Sequence, residues 1–378
     1  MHIAINAHLL AHTRSFRRAG VSNYAEALLA HLGEIDRRNR YTLYCNTRPA
    51  ALPPLGPNFA LRAIPFPRLW SHARLSAELA LHPPDTLFIP AHVLPLGAPL
   101  RRRRTVVTIH DMGYLHFPEA HTPMHRRYLR LSTLWSARAA SHVIAISGAT
   151  RDDLVRHAGI APAKISVIHH GVSARFRPAG DAAQAAARAR YGISQPYFFY
   201  IGTVQPRKNL ARLIEAFAQA LSGSPHLQAP GGDLQLVIAG KRGWLTEAIE
   251  RRAAELSVAD RVRFVGYVPD DDVPALLSGA LGFVFPSLYE GFGMPVLEAM
   301  ACGTPVLAAN SSSLPEVAGT AALLVNPTDT AAIAGGMARL AANPELRAEL
   351  RALGLARAAE FSWQRCAQAT LQVLAGGA

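Results

Sequence analysis

Lysine is almost missing from this chain. It stands only at positions 164, 208 and 241, so nearly all of the 39 basic residues are arginine. So few amines disfavour pyridoxal Schiff-base chemistry, which needs a dedicated lysine. Cysteine is equally sparse. Cys45, Cys302 and Cys366 are far apart and odd in number, which argues against a disulfide framework and a cysteine metal site and fits a reducing cytoplasm. No apolar run approaches the ~18–20 residues of a membrane span. The start, Met1-His-Ile-Ala-Ile-Asn, enters a strand pattern without a charged-then-apolar leader, so a cytoplasmic location is expected. Nucleic-acid motifs and basic–aromatic interleaving are also lacking, which places nucleic acid last among partners.

Half of the 378 residues are hydrophobic, enough to fill more than one core, and the length favours two domains. The net charge of +13 then points to phosphorylated substrates or an anionic membrane surface. The richest stretch is Glu290-Gly-Phe-Gly-Met-Pro-Val-Leu-Glu298-Ala-Met-Ala-Cys-Gly303. It follows Gly282-Phe-Val-Phe285, a short buried strand by its apolar run. Gly291 and Gly293 make an open turn. Pro295 falls where a first helical residue sits, and Gly303-Thr-Pro stops the helix. The free N–H groups at such a helix start attract phosphate. Glu290 on the loop and Glu298 on the first turn are themselves negative. They suit hydroxyl groups of a sugar and a ribose; solvated glutamates on a glycine turn are the plainer alternative.

This stretch, from Glu290 through Glu298 to Thr-Pro-Val306, resembles the signature of the retaining glycosyltransferases of family 4. That resemblance implies the GT-B fold: two facing doubly wound α/β domains with an interdomain cleft. It covers most of the chain, strongly from 197 to 325 and loosely from 40 to 105.

In chain order, Ile3–Asn6 reads as a strand and His12 to Gly20 as a turn-rich loop, before a helix from about Ser22 to Leu32 with Tyr24, Leu28, Leu29 and Leu32 on one stripe. An ordinary strand–helix loop explains Gly20 as well as a phosphate cradle does. The resemblance assigns the donor diphosphate to Gly20 and Val21. Val106–Ile109 ends in His110-Asp111, at the strand end where α/β sheets place ligands. The resemblance of Thr-Ile-His-Asp with Phe117-Pro118 implies that His110 reaches the transferred sugar or nearby acceptor. Asp111 either orients it or contacts acceptor. Met124 to Ala139 is helical, with Arg126, Arg127 and Arg130 among Leu129, Leu131, Leu134 and Trp135. It is either a surface helix packed by one face or a basic face for anionic lipid, with Arg101–Arg104 adding charge. Ser147 is a helix cap or an acceptor contact.

The Ala/Arg-rich run 179–190 reads as a linker helix. The expected division is 1–185 for an acceptor-side domain, 190–360 for a nucleotide-sugar domain, and 361–378 for a helix crossing back to the first.

In the second half, Tyr197–Ile201 leads to Gly202-Thr-Val-Gln-Pro-Arg207-Lys208-Asn209 and an amphipathic helix from Leu210. A basic pair beside a helix start opposes the dipole, which implies an anion that neutralises it. By resemblance Arg207 and Lys208 grip the diphosphate. Thr203 stands where many members have arginine, so Arg207 is the substitute. Asp270 to Asp272 read as caps and first-turn acids, not as metal ligands. Val268 is assigned to the nucleotide base, and Phe292, Gly293, Met294 and Pro295 to the donor beside Glu298.

The implied activity is transfer of a hexose of mannose or glucose type, with GDP-mannose among the donors, to a saccharide or lipid-linked saccharide acceptor. Retention of configuration is implied by the resemblance alone. The catalytic group is His110, Glu290, Lys208 and Arg207. No metal and no cofactor are expected, since side chains and a helix end stabilise the leaving diphosphate. A GT-B nucleotide-sugar epimerase would need further acid/base carboxylates. An inert membrane-associated nucleotide-sugar binder would not need the intact set of Glu290, Glu298, Lys208 and His110.

Overall fold

The computed structural model describes residues 1–8, 10, 20–91, 93–98, 104–118, 122–223, 234–241, 243 and 246–377. The loop 12–19 and Arg101–Arg103, singled out above, lie outside these residues. The chain divides into two units, Met1–Gly171 with Phe361–Ala378, and Val172–Glu360.

The first unit holds a parallel sheet of seven strands: β1 (His2–Asn6), β2 (Arg40–Cys45), β3 (Phe59–Ala63), β4 (Thr86–Ile89), β5 (Arg104–Ile109), β6 (His142–Ala145) and β7 (Ile165–Val167). Their order is β3-β2-β1-β4-β5-β6-β7, so the direction of winding reverses between β1 and β4. Ligands of open α/β sheets bind at such a switch point. Helices cover both faces, which is why the inner strands are apolar at nearly every position. Two cores result. One includes Tyr24, Leu28, Leu32, Phe88 and, from the far end of the chain, Trp363, Cys366 and Leu374.

That last contribution comes from the Trp363–Ala375 helix, which packs against the Gly20–Ile35 helix. Thr86 Oγ1 donates to the Leu374 carbonyl at 3.1 Å, and Arg104 Nε to the Val373 carbonyl at 3.0 Å.

The second unit holds six parallel strands: β8 (Tyr197–Ile201), β9 (Gln235–Ala239), β10 (Val262–Gly266), β11 (Gly282–Phe285), β12 (Val306–Ala309) and β13 (Ala322–Val325). Their order is β10-β9-β8-β11-β12-β13, with the switch between β8 and β11.

The division falls after Gly171, earlier than the 185–190 expected from sequence. The reason is that 172–196 is bound to the second unit. The Asp181–Arg190 helix packs on Val273–Ser278. Arg175 pairs with Asp270 at 3.0 Å, and Arg190 and the Tyr191 hydroxyl reach Asp272 at 2.8 and 2.6 Å. Asp272 stands at the start of the Val273–Ser278 helix without a side-chain cap bond. Its carboxylate anchors the end of the Asp181–Arg190 helix, which corrects the capping role given to it above.

Candidate active site

Three loops meet at the carboxyl ends of β8, β11 and β13. The β8 loop leaves through Gly202, where a side chain would run into the Tyr200 hydroxyl at 2.6 Å. A short 3-10 turn, Pro206–Lys208, then delivers the basic pair. Asn209 follows with φ 62°, a left-handed conformation that asparagine tolerates better than most residues. Its Nδ2 donates to the Pro286 carbonyl at 3.0 Å and the Pro327 carbonyl at 2.7 Å. One side chain thereby ties the loops together. The local pattern marks the Lys208-Asn209 pair, but only folding shows that Asn209 serves by tying these loops.

Glu290 completes the arrangement. Lys208 Nζ donates to its Oε1 at 2.5 Å and Ser287 Oγ donates to the same oxygen at 2.5 Å, while Arg207 Nη1 lies 3.3 Å from Oε2. Arg207 also donates to the Tyr289 carbonyl. Lys208 and Glu290 are buried, and Lys208 Nζ sits 5.2 Å from the centre of the Phe285 ring. Burial pushes the Glu290 carboxyl up, but the charges of Lys208 and Arg207 and the bonds from Lys208 and Ser287 outweigh it and hold the group below its usual range. Arg207 and Lys208 beside a helix start need an anion. The structure supplies one from within the chain.

The glycine turn is held from the opposite side. Ser312 Oγ accepts from the Glu290 N–H at 2.9 Å, and Ser313 Oγ bonds the carbonyls of Glu290 and Phe292 at 2.9 and 2.8 Å. Phe292 is buried. Gly293 has φ 107°, and a Cβ there would meet Leu314 at 2.6 Å. The Met294–Ala301 helix starts one residue earlier than expected, with Met294 first and Pro295 second. Glu298, half-buried, lies where Arg175 and Asp270 act on it. Burial, opposed by Arg175 and reinforced by Asp270, pushes its carboxyl up to about 8. The two glutamates of the motif are therefore shifted in opposite directions, Glu290 towards the carboxylate and Glu298 towards the neutral acid. Thr203 is exposed and Val268 is buried.

The first-unit candidates form their own cluster. His110 is buried at the end of β5, with Nε2 donating to the Pro90 carbonyl at 2.9 Å. Tyr24 meets it edge-on at 4.9 Å between ring centres and stacks on His170 at 4.8 Å. His170 was not singled out from sequence. Burial, followed by the charges of His110 and His169, drives its imidazole well below the usual range. Asp111 Oδ1 accepts from the Gly113 N–H at 2.9 Å, steadying the Gly113–His116 helical turn. Ser147 is fully buried and caps the Gly148–Ala158 helix through the Thr150 N–H, so the capping alternative is the one observed. Gly20 opens the Gly20–Ile35 helix with open space around it, and Val21 is half-buried.

Comparison with known proteins places these features in context. The family described as "Glycosyl transferases group 1" matches residues 184–355, and "Glycosyltransferase Family 4" matches 18–176. O-antigen chain mannosyltransferase B of Escherichia coli is 36% identical over 278 residues, covering 72% of this chain and 70% of that protein. D-inositol 3-phosphate glycosyltransferase of Streptomyces scabiei is 37% identical over 244 residues, 62% of this chain and 54% of that protein. The solved structure of Anabaena Alr3699/HepE with UDP and glucose shares the fold, with a TM-score of 0.75, 20% identity and complete coverage of both chains (100% each).

Proposed function

This chain belongs to the group 1 glycosyl transferases, and from that membership we propose that it is a retaining enzyme of cell-surface polysaccharide or glycolipid assembly. It moves a hexose, mannose by its likeness to the O-antigen enzyme, from a nucleoside-diphosphate sugar to an acceptor hydroxyl. The carrying observation is the buried Lys208–Glu290–Arg207 network at the β8/β11 switch point. Without donor, Glu290 balances the two cations. With donor, the diphosphate shares them, and Glu290 turns its acceptor oxygens to the sugar hydroxyls. Lys208, Arg207 and the helix start at Met294 then stabilise charge developing on the leaving diphosphate. A metal is not needed for that step.

The test is a thermal-shift panel with UDP, GDP and ADP beside a transfer assay using labelled sugar donors. The cognate diphosphate raises Tm by mass action, equivalent to ~2.7 kcal/mol at a hundredfold excess over Kd. Lys208→Ala removes that rise. Failure of every diphosphate to shift Tm would overturn the reading.

Glu298 gives a second expected result. Its carboxyl is raised from 4.5 to about 8, so at pH 7 it is mostly protonated. Ribose hydroxyls favour the carboxylate, so diphosphate binding at pH 7 releases a proton. Calorimetry in two buffers of different ionisation enthalpy measures it, and Glu298→Gln abolishes it. A raised folded value also means that stability is full below the unfolded value and falls as pH rises from 4.5 towards 8, by up to ~1.4 kcal/mol per pH unit. Glu298→Gln flattens that slope. Equal proton release from both proteins would remove Glu298 from the ribose.

The acceptor is proposed to be lipid-linked on one further observation. The Pro123–Ala139 helix exposes Met124, Tyr128, Leu131 and Trp135 at 84%, 50%, 58% and 39%. The spacing of these residues makes one stripe, flanked by exposed Arg126, Arg127 and Arg130. Of the four apolar residues named from sequence, Leu129 and Leu134 pack on the core, while Leu131 and Trp135 face solvent. No helix among the described residues is long and apolar enough to cross a membrane; this one suits the interface plane. Vesicles containing phosphatidylglycerol bind the protein at low salt, salt weakens binding, and Leu131→Glu reduces it. Absence of low-salt binding would favour a soluble saccharide acceptor.

A further inference from the structure

His116, Asp153 and His157 play no part in the readings above, yet they converge in the first unit. His116 closes the Gly113–His116 turn, and Asp153 and His157 lie one turn apart on the Gly148–Ala158 helix. His116 Nε2 is 2.9 Å from Asp153 Oδ2, and His157 Nε2 is 3.8 Å from Asp153 Oδ1. One donor atom from each of the three lies within 4.8 Å of the others. We propose that these three side chains form a divalent transition-metal site, with zinc as its ion.

The donor set decides the class. Two imidazoles and one carboxylate suit zinc and its first-row neighbours, whereas magnesium and calcium prefer all-oxygen shells. Tetrahedral bonds of ~2.0–2.2 Å place neighbouring donors ~3.3 Å apart. His116 faces Asp153 Oδ2 at 2.9 Å and His157 faces Asp153 Oδ1 at 3.8 Å, with one donor from each side chain within 4.8 Å of the others, so rotation of the two imidazoles and the carboxylate draws the three donors onto one ion. The Asp153 side chain is 8% exposed and anchors the site, while His116 and His157 are 34% and 39% exposed. An ion therefore enters from solvent and keeps water in the fourth position. His157 lies in the last helical turn, where the helix dipole also favours a cation.

The ion would fasten two segments that carry sequence-read site residues. The turn ending in His116 follows directly on His110 and Asp111, and the helix bearing Asp153 and His157 is the one capped by Ser147. Zinc here is a clamp that fixes the loop after β5, and it takes no part in the chemistry of the donor.

The experiment uses the full chain, stripped with EDTA and titrated with zinc chloride in a non-coordinating buffer. Calorimetry is expected to show one tight equivalent. Cobalt(II) should bind with ligand-field bands of a four-coordinate ion, zinc should raise Tm, and magnesium should leave Tm unchanged. His157→Ala, at an exposed position, should keep the metal-free Tm but weaken zinc at least about tenfold, the loss that even an outer-shell partner brings. His116→Gln should do the same, with the diphosphate-induced Tm rise intact in both. Zinc affinity and stoichiometry unchanged in these two variants would overturn the proposal, as would the absence of a saturable equivalent in the parent chain.

Discussion

Glu290→Gln destabilises the ligand-free protein by about 3–5 kcal/mol, the usual cost of breaking a buried ion pair from one side. The Lys208 ammonium is buried against this carboxylate at 2.5 Å, with Ser287 on the same oxygen and Arg207 at 3.3 Å on the other. A neutral amide keeps the shape and removes the charge that made the site affordable. The sign with pH follows from the depressed carboxyl. Its stabilisation is full above the ordinary value of 4.5 and is lost in acid as the folded group protonates, so the gap between wild type and variant narrows at low pH. Turnover falls by about 10²-fold or more, on the scale seen for lost transition-state hydrogen bonds. Diphosphate affinity survives, because the ligand brings its own negative charge to Lys208 and Arg207. Urea unfolding, steady-state rates and calorimetry with the cognate diphosphate measure the three quantities. Loss of diphosphate binding in Glu290→Gln, with binding intact in Glu298→Gln, would exchange the roles given to the two glutamates.

The second large effect lies far from the glycine motif. Gly171→Ala costs about 3 kcal/mol or more, at the upper end for overpacking. A Cβ at Gly171 would lie 2.0 Å from the Trp363 nitrogen, 2.4 Å from the Ser362 carbonyl carbon and 2.6 Å from the Trp363 Cα. All three are backbone atoms, so no side-chain rotation relieves the clash. The Trp363–Ala375 helix has to lift away. With it go the Trp363 stack on His170 at 5.5 Å and the burial of Cys366, Ala367, Val373 and Leu374. Unfolding should then lose amplitude or midpoint in the first unit, and limited proteolysis should cut near 361. A variant with the parent midpoint and no new cleavage would show that Gly171 is not needed for this docking.

Sequence carried the second unit further than the first. Tyr197–Ile201 and Gly282–Phe285 are legible to the residue because each is a closed apolar run bounded by turn residues. Phe59–Ala63 is not. It is an edge strand in which only Phe59 and Leu61 are half-buried, between exposed Ala60, Arg62 and Ala63, and so short an alternation does not stand out from a proline-rich stretch. Leu131 and Trp135 fit a packed helical stripe by spacing alone, and spacing does not say which side of a helix meets the core. At the candidate site, the types and positions of Glu290, Lys208 and Arg207 were visible. Their pairing was not, since 82 residues separate Lys208 from Glu290. The same holds for Asn209, whose partners Pro286 and Pro327 arrive from two other loops. The opposite shifts of the Glu290 and Glu298 carboxyls depend on neighbours brought in by folding, and no motif encodes them.

The return of residues 361–378 to the first unit sets an order of events during synthesis. After Gly171 has been made, the 189 residues of Val172–Glu360 are translated before the segment that finishes the first core appears. At roughly 5–20 residues per second that is a wait of ~10–40 s. Through that interval the apolar stripe of Tyr24, Leu28, Leu29 and Leu32 has no Trp363 or Leu374 to cover it. The middle of the chain, Val172–Glu360, is whole first. The nascent first unit thus keeps an apolar surface open to chaperones, and a ribosome stalled within codons 361–378 would leave a whole middle joined to an unfinished beginning.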